Sequence, residues 1–175
     1  MVNLEQFIRD VPDFPKKGII FKDITPLLAN YEALRETTAR LVQPFEQQRV
    51  DVVAAIESRG FIFGSLVAQR LKAGFVPLRK PNKLPWKTKR ATYDLEYGSD
   101  AIEIHADAIE KGQSVLMVDD LLATGGTMGA ACELVDALGG RIIGAAFVIE
   151  LAFLSGRAKL ASCATIHSLI KVLAE

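Results

Sequence analysis

Three apolar runs leave this chain few ways to fold. Val52–Ile56 (VVAAI), Val115–Val118 (VLMV) and Ile142–Ile149 (IIGAAFVI) are apolar at nearly every position and do not alternate with polar residues. A strand with one wet face alternates, so continuous runs indicate strands covered on both faces, as in a parallel sheet. Phe75–Leu78 (FVPL) and Ala164–Leu169 are expected as two further strands. Helical spacing fills the gaps between them. Leu34, Thr38, Leu41, Val42 and Phe45 share one face, and so do Met128, Ala131, Cys132, Val135 and Leu138. The second of these patterns stops at Gly139-Gly140, and residues 60–72 (GFIFGSLVAQRLK) read as a third helix. The alternation predicts an α/β fold, with a central mainly parallel sheet flanked by helices and right-handed crossovers.

The chain has 175 residues, enough for one well-buried core and too few for two. Half of the residues are apolar and 24% are charged, which excludes a disordered composition. Acids and bases balance at 21 each, so no global charge draws it to nucleic acid or an acidic membrane. No run approaches the roughly 20 apolar residues that span a bilayer. The N-terminus, MVNLEQFIRDVPDF, lacks a charged-then-apolar leader pattern. The cysteines, Cys132 and Cys163, have no metal-ligand spacing and suggest free thiols in a reducing compartment. The expectation is a single cytoplasmic domain spanning residues 1–175, with neither nucleic acid nor membrane as partner.

Two segments depart from the strand–helix alternation. Residues 10–30, with FPKKGIIFKDITP, read as an ordered arm. Residues 79–100 (RKPNKLPWKTKRATYDLEYGSD) read as a long polar loop, which a compact domain rarely keeps without a use.

The chemistry concentrates in VLMVDDLLATGGT, residues 115–127, where a strand is expected to end near Val118 and a helix to begin near Thr127. Such a junction lies at the carboxyl edge of a parallel sheet, where open α/β proteins bind ligands. Gly125 and Gly126 let backbone approach a ligand, Thr124 and Thr127 add hydroxyls, and the following helix aims free N–H groups at an anion. That combination suits a phosphate monoester. Asp119 and Asp120 suit vicinal hydroxyls, or a magnesium ion held directly or through water. A ribose 5-phosphate offers both faces. The glycines match neither G-x-x-x-x-G-K-[ST] nor G-x-G-x-x-G.

VLMVDDLLATGGT resembles the phosphoribosyl pyrophosphate (PRPP) signature of type I phosphoribosyltransferases. FPKKGIIFKDITPLL (14–28), ESRGFIFG (57–64), RKPNKLP (79–85) and YDLEYG (93–98) resemble, in order, segments of the adenine phosphoribosyltransferases. The resemblance implies the type I phosphoribosyltransferase fold, with residues 10–30 as a base-binding N-terminal arm and residues 79–100 as a flexible hood loop. It implies that Ala123, Thr124, Gly125, Gly126 and Thr127 cradle the 5-phosphate and that Asp119 and Asp120 hold the ribose. Glu57, Ser58 and Arg59 would form the pyrophosphate loop, with a cis peptide after Glu57, and Arg79, Lys80 and Lys83 would reach pyrophosphate from the hood. Adenine would lie between Phe21 and Leu151, its edge read by backbone groups of Ile20 and Lys22. Lys22 stands where arginine occurs in some members, which leaves any side-chain role there open. Glu96 would manage the proton near N7 of the base, with Arg59 neutralising the leaving group and Tyr97 closing the site. Magnesium is expected on substrate oxygens and water, near Asp119 and Asp120, with no direct protein ligand. A homodimer is implied, since some hood cations of the family serve the neighbouring subunit. His105, His167, Cys132 and Cys163 are read as structural.

The activity so implied is pentosyl transfer from PRPP to adenine, giving AMP and pyrophosphate in purine salvage. The alternatives are a phosphoribosyltransferase for another purine and a regulator that binds nucleotide on the same fold without catalysis. YDLEYG and the basic hood favour an enzyme, and no basic recognition helix favours the regulator.

Overall fold

Every residue of Val52–Ile56 is buried. Val52, Ala54 and Ile56 enter one core while Val53 and Ala55 enter another. A strand placed between two cores has no solvent face, which is why its sequence does not alternate. The computed structural model describes residues 2–94 and 99–174. In chain order it contains β1 (Arg9–Pro12), β2 (Ile20–Asp23), α1 (Thr25–Ala29), α2 (Tyr31–Val42), β3 (Val52–Ile56), α3 (Arg59–Leu71) and β4 (Gly74–Leu78). There follow β5 (Thr88–Asp94), β6 (Ser99–His105), β7 (Ser114–Leu122), α4 (Gly126–Leu138), β8 (Arg141–Leu151) and β9 (Ile166–Val172).

The central sheet has five strands in the order β4-β3-β7-β8-β9, and each adjacent pair is parallel. One face packs Leu27, Leu41, Phe45 and Phe63 of the segment before β3 and of α3 against Val53, Leu116 and Ala146. The other packs Met128, Ala131 and Val135 of α4, with Ile102 and Ile104 of β6, against Ala54, Val115 and Met117. Local sequence signals fix the helix ends. The Asn30 side chain accepts a hydrogen bond from Ala33 N–H at 2.9 Å and starts α2. Gly139 ends α4 in the left-handed region at φ 84°, a conformation that costs other residues a Cβ clash.

The structure revises several boundaries. β7 was expected to stop near Val118 but runs on to Leu122, because Leu121 and Leu122 still pair with Ile149 and Glu150 of β8. The last strand is Ile166–Val172, shifted towards the C-terminus from 164–169. Residues 79–100 are not one loop: β5 and β6 form an antiparallel hairpin in which Tyr93 faces Asp100. The arm is likewise ordered by a hairpin of β1 and β2, in which Phe21 faces Val11. No helix among the described residues is long and apolar enough to cross a membrane.

Candidate active site

From β3 the chain turns through α3 to β4 on one side; from β7 it turns through α4 to β8 on the other. The order therefore reverses between β3 and β7, and open α/β sheets bind ligands at the carboxyl ends of such a pair. Here β7 outruns its neighbour. Pairing with β3 ends at Val118, while pairing with β8 continues to Leu122. Asp119 and Asp120 thus lie on a strand overhang and not in the loop. The start of α3 closes against that overhang: a β-carbon at Gly60 would lie 2.6 Å from Asp119 Oδ1. Glu57-Ser58, joined by a cis peptide, fills the turn between β3 and α3.

A cavity of about 410 Å³ opens over this corner, lined among others by Glu57, Ser58, Arg59, Asp119, Asp120 and Thr127. Asp120 is 5% exposed, and Arg59 Nη2 stands 2.9 Å from its Oδ2. That contact lacks hydrogen-bond geometry, so the buried Oδ2 keeps an unfilled acceptor site. Burial, then the charge of Asp120, pushes Asp119 well above the usual carboxylate range. Burial also raises Asp120, and Arg59 works against that shift without cancelling it. Two acids held this way favour a ligand that brings hydrogen-bond donors or a cation. Among the described residues no set of three His, Cys, Asp or Glu side chains could hold a metal ion. Asp119 and Asp120 are the acids that would face a magnesium ion carried on substrate oxygens and water.

Arg79, Lys80 and Arg90 of the hood are held by carboxylates. Glu57 accepts hydrogen bonds from Arg79 Nε at 2.8 Å and from the Lys80 N–H at 2.5 Å. Lys80 Nζ pairs with Asp100 and donates to the Tyr93 hydroxyl at 2.8 Å. Burial opposes the Lys80 charge, but Asp100 and Tyr93 outweigh it and hold the ammonium above its usual range. Lys80 and Tyr93 line the cavity, whereas Lys83 lines neither this cavity nor its neighbour; its carbonyl accepts from Arg79 Nη1 at 3.1 Å. Glu96 and Tyr97 lie outside the described residues.

A second cavity, of about 400 Å³, adjoins the first and shares Phe21 and Leu121 with it. Ile20, Lys22, Ala123 and Leu151 line it, as do Phe153 and Leu154, which the sequence did not single out. Arg59, which lines the first cavity, lies over the Phe21 ring that the two cavities share, 4.8 Å from its centroid. The Lys22 ammonium is committed to Asp10 at 2.8 Å, and its carbonyl oxygen accepts from Arg59 Nη1 at 3.4 Å. Thr124, Gly125 and Gly126 form the turn into α4, with Gly125 at φ 75°. Tyr93 is the main residue missed: it opens YDLEYG, but its partner Lys80 is 13 positions away. Cys132 and Cys163 meet in the core with sulfurs 3.8 Å apart, and His167 Nε2 lies 3.1 Å from the Arg40 carbonyl oxygen. All three stand away from both cavities.

The family model of the phosphoribosyl transferase domain matches residues 22–166, the span that holds the sheet's reversal, the overhanging acids and the glycine turn. The adenine phosphoribosyltransferase of Flavobacterium johnsoniae is 56% identical over 159 residues, covering 91% of this chain and 94% of its own. The crystal structure of adenine phosphoribosyltransferase from Rhodothermus marinus superposes with a TM-score of 0.93 at 51% identity, covering 97% of this chain and 96% of that one. The Saccharomyces cerevisiae enzyme, complexed with D-2,5-dideoxy-2,5-imino-altritol 1,6-bisphosphate and adenine, gives 0.89 at 41% identity, covering 95% and 96%. The chain belongs to the adenine phosphoribosyltransferase family.

Proposed function

We propose that the chain transfers the 5-phosphoribosyl group of PRPP to N9 of adenine, releasing pyrophosphate and AMP. The observation that carries this reading is the pair of adjoining cavities. One is lined by acids and cations; the other is mostly apolar and, among the described residues, has no Asp or Glu in its lining. A neutral planar base suits the second, stacked on Phe21 against Leu151 and read by backbone groups of Ile20 and Lys22.

Ala123, Thr124, Gly125, Gly126 and Thr127 take the 5-phosphate with the N-terminus of α4 behind them. Asp119 and Asp120 accept hydrogen bonds from the ribose hydroxyls. Arg59, Arg79 and Lys80 face the pyrophosphate, while Lys83, which lines neither cavity, serves by accepting from Arg79 through its carbonyl. Before substrate binds, Asp120, Glu57 and Asp100 hold the first three of these cations. The incoming phosphates take over those partners, so the cations are positioned in advance. Glu57 then serves the pyrophosphate site by aiming Arg79 and anchoring the main chain of Lys80, since a carboxylate by itself repels that ligand. As the C1–pyrophosphate bond breaks and the C1–N9 bond forms, Glu96 manages the proton of the base and Tyr97 helps to exclude water. Magnesium, when bound with the substrate near Asp119 and Asp120, would supply positive charge for the leaving group.

We also read the enzyme as a homodimer: Ile62 of α3 and Phe75 of the edge strand β4 leave exposed apolar surface. The site assignment is tested by combining Asp119→Asn with Asp120→Asn. The expected result is a KM for PRPP raised about tenfold or more with little change in that for adenine. An unaltered KM for PRPP refutes the ribose assignment.

A further inference from the structure

The stretch Glu150–Lys159 (ELAFLSGRAK) runs from the last two residues of β8 into the segment beyond, and its polar residues have no place in the chemistry above. Its backbone nonetheless presses on the glycine turn. A β-carbon at Gly156 would fall 2.2 Å from the Ala123 carbonyl oxygen and 3.0 Å from Gly125 N. Conversely, a β-carbon at Gly125 would fall 2.3 Å from the Gly156 carbonyl oxygen. One turn further along, a β-carbon at Gly129 of α4 would meet the Lys159 carbonyl oxygen at 3.3 Å. The conformation of Ala123–Gly126 therefore depends on where the backbone of residues 155–159 is held.

Arg157 holds it. Its Nε donates to Glu150 Oε1 at 2.6 Å and its Nη2 to Oε2 at 2.7 Å, a two-pronged pair. Its Nη1 donates to the Ile166 carbonyl oxygen at 3.0 Å, tying the segment to β9. Glu150 is 4% exposed and sits opposite Leu122, the last residue of β7 before the turn. The Arg157 guanidinium outweighs burial and keeps the Glu150 carboxyl below its usual range. The pair thus spans from the end of β8 to the residue beside Gly156.

We propose that Glu150 and Arg157 are positioning residues for the phosphate site: their ion pair clamps Gly156 against Ala123 and Gly125 and sets the shape in which the turn receives the 5-phosphate. The proposal rests on Ala123–Thr127 being the phosphate cradle. It assigns Gly156 a specific duty as well, because only a residue without a side chain fits between the two strands of backbone.

The test compares kcat, the KM values for PRPP and adenine, and the thermal midpoint in Arg157→Met, Arg157→Lys and Gly156→Ala. Arg157→Met and Gly156→Ala are expected to raise the KM for PRPP about tenfold, with the adenine KM within about twofold. Arg157→Lys should recover part of the loss, since lysine keeps the charge but not the two-pronged geometry. Equal shifts in both KM values, or a lower thermal midpoint with unchanged KM values, overturn the proposal. If Arg157→Met does not fold, Glu150→Gln decides by the same criterion, because it keeps the size of the side chain while removing the charge that holds Arg157. Thr127→Val separates the underlying assignment: an unchanged KM for PRPP in that variant removes the phosphate cradle itself.

Discussion

Asp119 and Asp120 are poorly suited to the substrate-free protein and well suited to a ligand rich in donors. Burial raises Asp119 above the ordinary carboxylate range. At low pH the folded and unfolded chains both carry the proton, and the site costs little. As pH rises through the ordinary range towards the raised folded value, the unfolded chain ionises first and stability falls. Asp119→Asn removes this penalty. The variant is predicted to be more stable than the parent near pH 7, with the advantage shrinking towards about pH 4. Denaturant midpoints of both proteins across that range check this, and parallel curves would contradict it. Sequence identified both acids, since adjacent carboxylates before a glycine turn carry a chemical meaning. It did not reveal that Arg59 pairs with Asp120 or that Lys80 pairs with Asp100, because those partners are brought together only by the fold.

At the scale of elements, the β3–α3 unit shows how little space the site leaves. A β-carbon at Gly64 would lie 2.4 Å from Ala55 Cβ. Gly64→Ala is therefore predicted to destabilise by about 1–3 kcal/mol, as overpacking between a strand and its helix does. Chemical denaturation measures this, and an unchanged midpoint would show that α3 can shift freely. The strands buried on both faces were legible because burial forbids polar residues along their whole length. The β5–β6 hairpin was not. Ala91, Tyr93, Ile102 and Ile104 turn towards the α4 core, but the charged residues between them and the prolines before them mask the alternation. The overhang of β7 was also hidden, since its length depends on pairing with β8 and not on local sequence. The hairpin's ion pair gives a further prediction. Asp100→Asn should raise the KM for PRPP more than that for adenine, because Lys80 loses the partner that aims it. A split in the opposite direction would remove Lys80 from the pyrophosphate side.

The whole molecule divides its work between two chambers that meet at Phe21 and Leu121. The sheet's switch point supplies the acids, Arg59 and the glycine turn; the segment after β4 supplies Arg79 and Lys80, braced against the β5–β6 hairpin; and the N-terminal hairpin supplies the aromatic ring. The base chamber has to discriminate sharply. A pocket that reads the edge of adenine through fixed backbone groups leaves those groups unpaired against a 6-oxo purine. Steady-state transfer from PRPP, with magnesium, to adenine, hypoxanthine, guanine and xanthine tests this most directly. The prediction is a kcat/KM for adenine about a thousandfold or more above the other three bases. Comparable values for adenine and any 6-oxo purine would contradict it.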